Sequence, residues 1–250
     1  MIYNYIAIEG TLGAGKTTLA SRIANDFNGK LVLEEFEADK NPFLPKFYKE
    51  PDKYSFQVEM TFLALRYQQL KDKLGALDLF HDFIISDYYV AKSLIFSRNN
   101  LQEDEYQLFS RFFNIIFSDM PKPELLVYLY SDVSRLQANI RKRGRSYEQD
   151  ISDTYLADIQ QGYFDFIREQ QGNMRILILD TNRLDFVAND ADYHKIIEAI
   201  DQPYDIGIHR IALYRHEKSR SFERLFSYDR EIYFSLLTSF ITLSWTVSIV

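Results

Sequence analysis

The chain has 250 residues, a length that suits one large domain or one domain with an appendage. Hydrophobic residues make up 46% of it and aromatic residues 16%, which predicts a substantial core and excludes disorder over most of the length. The formal net charge of −7 argues against a general nucleic-acid binder, and the absence of cysteine excludes disulfides and thiolate metal sites.

Short apolar runs alternate with longer helical stretches along the chain. Strands are predicted at 5–8, 31–36, 83–86, 125–130 and 175–179, and helices at 17–27, 54–74, 103–118, 131–142 and 152–170. The strands are continuously apolar, which indicates a parallel sheet covered by helices on both faces. The sequence therefore predicts an α/β fold with a five-stranded parallel sheet and right-handed crossovers. Because the first strand begins almost at Met1, we expect no signal peptide and a cytoplasmic location.

A glycine-rich loop joins the first predicted strand to the first predicted helix. It consists of Gly10, Thr11, Leu12, Gly13, Ala14, Gly15, Lys16, Thr17 and Thr18. Glycines allow backbone N–H groups to crowd around an anion, and the helix N-terminus adds partial positive charge. In such a loop Lys16 reaches the outer phosphates and the Thr17 hydroxyl binds Mg²⁺. The sequence therefore predicts a phosphate-binding loop (P-loop) for a nucleoside triphosphate.

Acidic residues follow the second and third predicted strands. Glu34 and Glu35 lie at the end of the second strand, and Asp87 follows the third. The carboxyl ends of parallel strands meet at one edge of the sheet, where ligands bind in this architecture. A glutamate there can act as general base for a substrate hydroxyl. Asp87 is placed to hold Mg²⁺ opposite Thr17.

A basic run follows the fourth predicted helix. Three arginines, Arg141, Arg143 and Arg145, lie within five positions. A run of this kind on its own is often a solvated surface. In an acidic protein that binds a triphosphate, we interpret it as a flap whose cations stabilise the charge on the transferring phosphoryl group.

The end of the chain differs from the rest. We divide the sequence into a catalytic domain at 1–206 and an extension at 207–250. The extension is first basic and then uncharged from 232 to 250. Three interpretations remain open: a membrane anchor behind a basic collar, an extra packed helix or strand, and an unselected extension. The length is near the lower limit for a membrane span, and the serines and threonines argue against one without excluding it.

The motifs in this order resemble the deoxynucleoside kinases, in particular the bacterial deoxyguanosine and deoxyadenosine kinase branch. They span about residues 2–200 and are the P-loop segment, Leu33-Glu34-Glu35-Phe36, Asn41-Pro-Phe-Leu44, Phe47-Tyr48-Lys-Glu-Pro51 and Arg141-Lys-Arg-Gly-Arg145. The resemblance implies the P-loop kinase fold with an arginine-rich lid. It also implies transfer of the ATP γ-phosphoryl group to a deoxynucleoside 5′-hydroxyl in nucleotide salvage, with Mg²⁺, by a homodimer. Aromatic-rich stretches at 54–67 and 106–117 are candidates for the dimer surface.

The resemblance also implies roles for single residues. Glu34 matches the glutamate that deprotonates the 5′-hydroxyl. Tyr48 and Glu148 match the pair that contacts the deoxyribose 3′-hydroxyl. Glu59 stands where the family commonly has a base-reading glutamine, and Arg66 matches an arginine of purine and cytosine users. Their spacing of seven places both on one helix face, where we expect them to pair and read the base.

The base preference follows from the chemistry of a carboxylate, which when ionised only accepts hydrogen bonds. Guanine offers two adjacent donors to Glu59, and Arg66 can donate to its O6 or N7. Adenine offers one donor beside an acceptor. We therefore predict a purine substrate, with deoxyguanosine ahead of deoxyadenosine.

The segment after the third strand departs from the family pattern. Most family members have an arginine after the acid, but here the segment reads Asp87-Tyr88-Tyr89. Lys92, one turn further, is a candidate for the missing positive charge. The two tyrosines fit a packing role and a substrate role equally well.

Two alternatives remain at this point. A nucleoside monophosphate kinase, such as a thymidylate kinase, shares the loop and the basic flap, but Glu34 and Glu35 would repel the phosphate of its acceptor. The second alternative is a non-catalytic nucleotide-binding module tethered by its C-terminal tail. Glu34, Asp87 and the basic flap together favour catalysis.

Overall fold

The computed structural model describes residues 1–34, 41–74, 80–145 and 148–213. Its strands are β1 (Tyr5–Glu9), β2 (Gly29–Val32), β3 (Phe83–Ser86), β4 (Leu125–Tyr130), β5 (Arg175–Asp180) and β6 (Gly207–Ala212). They form one sheet in the order β2-β3-β1-β4-β5-β6, and every pair is parallel. The predicted parallel sheet is confirmed, with six strands rather than five.

Helices cover this sheet, as the α/β prediction requires. They are α1 (Lys16–Asp26), α2 (Leu44–Phe47), α3 (Pro51–Leu74), α4 (Lys92–Asn100), α5 (Glu103–Phe117), α6 (Val133–Arg143), α7 (Asp153–Glu169) and α8 (Asp190–Ile200). The five predicted helices correspond to α1, α3, α5, α6 and α7, with ends that differ by a few residues. α2, α4 and α8 were not predicted from the sequence.

The central strands are apolar because both of their faces are covered. All five residues of β1 and all six of β4 are buried. Ile6, Ile8 and Val127 have no exposed surface and pack in one cluster with Leu19 and Ile23 of α1. Burying a side chain of this size contributes about 1.5–3 kcal/mol. The phosphate loop therefore begins from a fully buried strand at the centre of the sheet.

The sixth strand extends the fold past the predicted boundary at residue 206. β6 pairs with β5 along its whole length, from Arg175 opposite Gly207 to Asp180 opposite Ala212. The compact unit accordingly runs from Met1 to Leu213. This edge strand is half exposed and carries Arg210. Its composition is therefore closer to that of the basic stretch after it than to that of the apolar, buried strands.

The order of the strands brings the predicted chemistry to one place. β1 lies between β3 and β4, and the chain builds one side of the sheet before it crosses to the other. In such sheets a crevice opens at the carboxyl ends of the strands near this switch point. β1 leads there into the glycine-rich loop, β2 is followed by Glu34, and β3 is followed by Asp87.

Some predictions fall on residues outside the described ranges. Glu35, the end of the predicted strand at 31–36 and the tail from 214 to 250 are among them. The three interpretations of the tail therefore remain open. Across the residues that the structure does describe, no helix is both long and apolar enough to cross a membrane. The cytoplasmic location stays a prediction.

Candidate active site

A cavity of about 580 Å³ opens at the carboxyl edge of the sheet. This volume is in the usual range for a small-molecule site. The predicted site residues that line it are Leu12, Gly13, Ala14, Gly15, Lys16, Thr17, Thr18, Glu34, Tyr48, Glu59, Arg66, Asp87, Arg143, Arg145 and Glu148. The residues from four separate sequence motifs therefore meet around one space.

The glycine-rich loop has the backbone conformation that its sequence predicts. Gly13 and Gly15 have φ angles of 84° and 87°, in the left-handed region that favours glycine. A Cβ atom on Gly13 would lie 2.6 Å from the carbonyl oxygen of Leu136, so no larger residue fits there. α1 begins directly after the loop at Lys16, and its N-terminus faces the cavity as an anion site requires.

Lys16 lies across the loop that precedes it. Its Nζ donates to the carbonyl oxygens of Gly10, at 2.7 Å, and Thr11, at 3.2 Å. Gly10 and Thr11 do not line the cavity. Their carbonyl groups hold the Lys16 side chain in place. Burial, followed by the positive charge of Lys92, lowers the pKa of Lys16 to about 8. A bound phosphate would stabilise the charged form of this lysine.

Thr17 and Asp87, the predicted metal ligands, are in direct contact. The Thr17 hydroxyl donates to Oδ2 of Asp87 at 2.5 Å, and the backbone N–H of Glu34 donates to Oδ1 at 2.7 Å. Burial raises the pKa of Asp87. A hydroxyl and a carboxylate oxygen suit Mg²⁺, which usually keeps several waters and phosphate oxygens as its other ligands. Within the described ranges no three acidic or histidine side chains gather to form a fuller metal site.

Glu34 is held between two cations in the interior of the protein. Its Oε1 accepts from Nε and Nη2 of Arg66, at 2.8 and 2.7 Å, and its Oε2 accepts from Nζ of Lys92 at 2.6 Å. All three side chains are at most 5% exposed. Burial by itself would raise the pKa of Glu34, but Lys92 and then Arg66 outweigh it and lower this pKa to about 2. Glu34 is therefore an anion at neutral pH.

The altered segment after β3 is explained by this arrangement. Tyr88 stands where the family has an arginine, and it is fully buried, with its hydroxyl donating to Oε1 of Gln69 at 2.8 Å. It does not line the cavity, so the structure favours the packing interpretation. Lys92, from the first turn of α4, provides the cation beside Glu34 instead.

Glu59 lies in the cavity wall on α3 and is 2% exposed. Its Oε1 accepts from Nδ2 of Asn100 at 2.7 Å, while its Oε2 has no hydrogen-bond partner. Burial raises the pKa of Glu59 to about 7, in spite of the nearby positive charge of Arg66. The expected hydrogen-bonded pair of Glu59 and Arg66 is absent from these described residues. Arg66 donates instead to Glu34 and Ser93, because hydrogen bonds to the ionised Glu34 are charge-assisted and therefore stronger than those to a neutral acceptor.

Tyr48 and Glu148 lie on the walls of the same cavity. Tyr48 is half-buried at the end of α2, and Glu148 is 4% exposed. Glu148 accepts hydrogen bonds from Arg143 and from Arg145, the latter at 3.1 Å. The acid therefore anchors two cations of the basic flap beside the cavity.

The third arginine of the flap, Arg141, is exposed and does not line the cavity. Its place in the flap stays a prediction. α6 turns by about 100° per residue, so Arg135, Asn139 and Lys142 share the face towards the cavity while Arg141 points elsewhere. The helix continues through Arg143, and this rigid geometry decides which cations reach the site.

The structure adds cavity residues that the sequence analysis missed. They are Phe96 and Asn100 of α4, Arg135 and Asn139 of α6, Tyr155 of α7 and several residues between Thr181 and Val187. Asn139 donates to the carbonyl oxygen of Gly13 at 2.8 Å, and Arg135 donates to the carbonyl groups of Asn182 and Leu184. Arg135 and Asn139 are one helical turn apart, which is a signal in the sequence. That signal does not indicate which face of α6 meets the loop.

Comparison with known proteins gives consistent matches. The model of the deoxynucleoside kinase family matches residues 6–204. A deoxyguanosine kinase of Bacillus subtilis is 34% identical over 195 residues, which are 77% of this chain and 93% of that protein. A deoxyadenosine kinase of Dictyostelium discoideum is 30% identical over 166 residues, which are 66% of this chain and 67% of that protein.

A solved structure has the same fold. It is a deoxyadenosine kinase from M. mycoides with bound dATP, and it superposes with a TM-score of 0.67 at 25% sequence identity. The match covers 79% of this chain and 99% of that chain. The similarity therefore extends over nearly the whole length of the solved protein.

The cluster around Glu34 makes the stability of the protein depend on pH. Because the pKa of Glu34 is about 2 in the folded protein against an ordinary value of 4.5, its ion pairs stabilise the fold above about pH 4.5 and lose this effect as the pH falls towards 2.

The variant Lys92→Met tests this dependence. In this variant the pKa of Glu34 in the folded protein should rise. We expect a lower free energy of unfolding at pH 7 and a shallower loss between pH 4.5 and about 2.5, measured by urea denaturation. Lys53→Met, at an exposed position, is the matched control. Parallel curves for Lys92→Met and the unsubstituted protein would contradict the assignment.

Proposed function

This chain belongs to the deoxynucleoside kinase family, and from this membership we propose that ATP is the phosphoryl donor, that Mg²⁺ assists, and that a purine deoxynucleoside is the preferred acceptor. The reaction of the family is phosphorylation of a deoxynucleoside, here at the 5′-hydroxyl. One observation carries the assignment to this cavity. The buried anion Glu34 lies at the end of β2 in the same space as the phosphate loop.

The donor end of the cavity is formed by the phosphate loop and by α6. Backbone N–H groups of the loop, Lys16 and the N-terminus of α1 provide a positive surface for the phosphates. Arg143 and Arg145 approach from the flap and would neutralise the charge that spreads over the transferring group. Magnesium bound between Thr17 and Asp87 would supply further charge neutralisation at the phosphates.

The acceptor end is formed by α2, α3 and α4. Apolar side chains of Leu44, Phe47, Val58, Phe62 and Phe96 line it together with Tyr48 and Glu148. These walls suit a flat base and a sugar. Tyr48 and Glu148 are the proposed contacts of the 3′-hydroxyl, as in the family.

Glu34 orients the 5′-hydroxyl and accepts its proton. A carboxylate with a pKa of about 2 is a weak base, so it cannot ionise the alcohol in advance. In phosphoryl transfer the acceptor oxygen becomes acidic as its bond to phosphorus forms, and the proton can leave late. Lys92 and Arg66 then act as positioning residues, because they keep Glu34 ionised and fixed.

The alternative of a nucleoside monophosphate kinase has less support. Its acceptor would bring a phosphate towards the buried anion Glu34, and like charges repel strongly in such an environment. The family membership of the chain points the same way.

Replacing Glu34 with glutamine tests the assignment of the base. We expect turnover of ATP with deoxyguanosine or deoxyadenosine to fall by about 10²–10⁴-fold, since the amide cannot accept the proton. ATP affinity should change little, because Glu34 lies at the acceptor end. Steady-state kinetics and calorimetric titration with ATP measure the two quantities. Glu198→Gln on α8, an exposed position, serves as control. Undiminished turnover in Glu34→Gln would show that another group accepts the proton.

Replacing Thr17 tests the metal site. Thr17→Ala removes the hydroxyl, whereas Thr17→Ser retains it on a smaller side chain. We expect the Mg²⁺ concentration for half-maximal turnover to rise at least about tenfold in Thr17→Ala, as one of few protein ligands is lost. Thr17→Ser should stay close to the unsubstituted protein. The same Mg²⁺ dependence in all three proteins would place the metal elsewhere.

We also propose that the protein is a homodimer, which the exposed face of α5 supports. Leu108, Phe112 and Ile115 are spaced along one side of this helix and are 45%, 41% and 73% exposed. Such an apolar stripe on a surface often marks an interface.

Ile115→Lys should shift the dimer towards monomer in light scattering coupled to gel filtration. Glu198→Lys should not. A monomer for the unsubstituted protein at micromolar concentration would refute the proposal.

A further inference from the structure

Glu59 combines burial with an unused hydrogen-bonding atom. Asn100 holds one of its carboxylate oxygens at 2.7 Å, and the other, Oε2, is buried without a partner. Buried polar atoms nearly always have partners, so an exception requires an explanation. Because Glu59 lines the acceptor end of the cavity, a bound ligand can provide the missing partner.

The surroundings of Glu59 fit the edge of a nucleobase. Phe62, Phe96 and Tyr155 line the same cavity. Aromatic rings stack well on the flat faces of bases. A base that stacks on such rings would present its hydrogen-bonding edge to a polar group in the wall, and Glu59, held by Asn100, is a suitable group.

The resemblance already implies that Glu59 reads the base; we propose in addition that the protonation state of Glu59, held by Asn100, selects between two hydrogen-bonding patterns. This inference rests on the proposed function and adds a rule for substrate choice. The ionised form of Glu59 recognises guanine, whereas its neutral form recognises adenine or cytosine.

The two patterns follow from the chemistry of the carboxyl group. Ionised Glu59 only accepts, and guanine offers two adjacent donors, N1–H and the 2-amino group. Neutral Glu59 donates through one oxygen and accepts through the other, as an amide side chain does. Adenine offers its 6-amino donor beside the N1 acceptor, and cytosine offers its 4-amino donor beside the N3 acceptor. The neutral form therefore matches these two bases and mismatches guanine.

Several groups act on the protonation of Glu59 from the elements around it. Arg66 on α3, with Asn100 and Lys92 on α4, favours the ionised form, while Glu34 after β2 opposes it. Tyr155 on α7 also faces it. Burial exceeds the effect of the cations and raises the pKa of Glu59 to about 7. Because the cations are engaged with Glu34, they do not lower the pKa of Glu59 to the range of an exposed glutamate.

The test compares the affinities for deoxyguanosine and deoxyadenosine as the pH changes. Dissociation constants are measured by calorimetry between about pH 6 and about pH 8, an interval in which neither nucleoside titrates. The preference for deoxyguanosine over deoxyadenosine should rise by nearly tenfold per pH unit, about a hundredfold in all, because each base selects one protonation state. Deoxycytidine should follow deoxyadenosine.

Two variants sharpen this test. Glu59→Gln carries a fixed donor and acceptor, so it should prefer deoxyadenosine at every pH with a constant ratio. Glu198→Gln, an exposed carboxylate on α8, should keep the pH dependence of the unsubstituted protein. Persistence of that dependence in Glu59→Gln would overturn the proposal, since the titrating group would then lie elsewhere.

The outcomes separate this inference from the proposed function. A constant ratio in a protein that binds and phosphorylates both nucleosides refutes the role of Glu59 and leaves the kinase assignment standing. Absence of binding and phosphorylation with every deoxynucleoside refutes both. A ratio that rises with pH, and loses this rise in Glu59→Gln, supports the inference.

Discussion

The contact of Glu34 with Lys92 and Arg66 is the interaction on which the site depends. It joins the end of β2 to α3 and α4, three elements that are distant in sequence. Buried charges are costly when unpaired, so the anion and its two cations hold one another in place. The same contact keeps the proposed base ionised and occupies the cations that would otherwise ionise Glu59. One buried cluster thus influences the charge of both Glu34, the proposed base, and Glu59, the proposed base-reading residue.

The proposed donor end and the proposed acceptor end of the cavity are formed by different kinds of groups. The loop after β1 and the start of α1 form a rigid anion site that depends on backbone groups and glycine geometry. The acceptor end depends on side chains from α2, α3, α4 and α7. The size and charge of these side chains can change without a change in the sheet. Substrate choice can therefore change in such a fold while phosphate binding stays the same.

Several site residues were predictable because a local rule fixes them. The glycine spacing, Lys16 and Thr17 follow from what a phosphate loop needs, and Glu34 and Asp87 follow from the position of strand ends in a parallel sheet. Other features needed more than a local rule. Arg141 was placed in the flap by composition, and in this structure the rotation of the helix directs it away from the cavity. β6 was missed because a half-exposed edge strand lacks the apolar run that marks the buried strands.

The sequence by itself determined the α/β class, the parallel sheet, the phosphate loop and the positions of the acids that follow β2 and β3. These depend on periodicity and on short motifs, which are local. Only the tertiary structure decided that Arg66 pairs with Glu34 rather than Glu59, that Lys92 replaces the missing arginine, and that Asn100 leaves one oxygen of Glu59 unpartnered. Those outcomes depend on competition among charges brought together by folding, and no spacing in the sequence records which partner prevails.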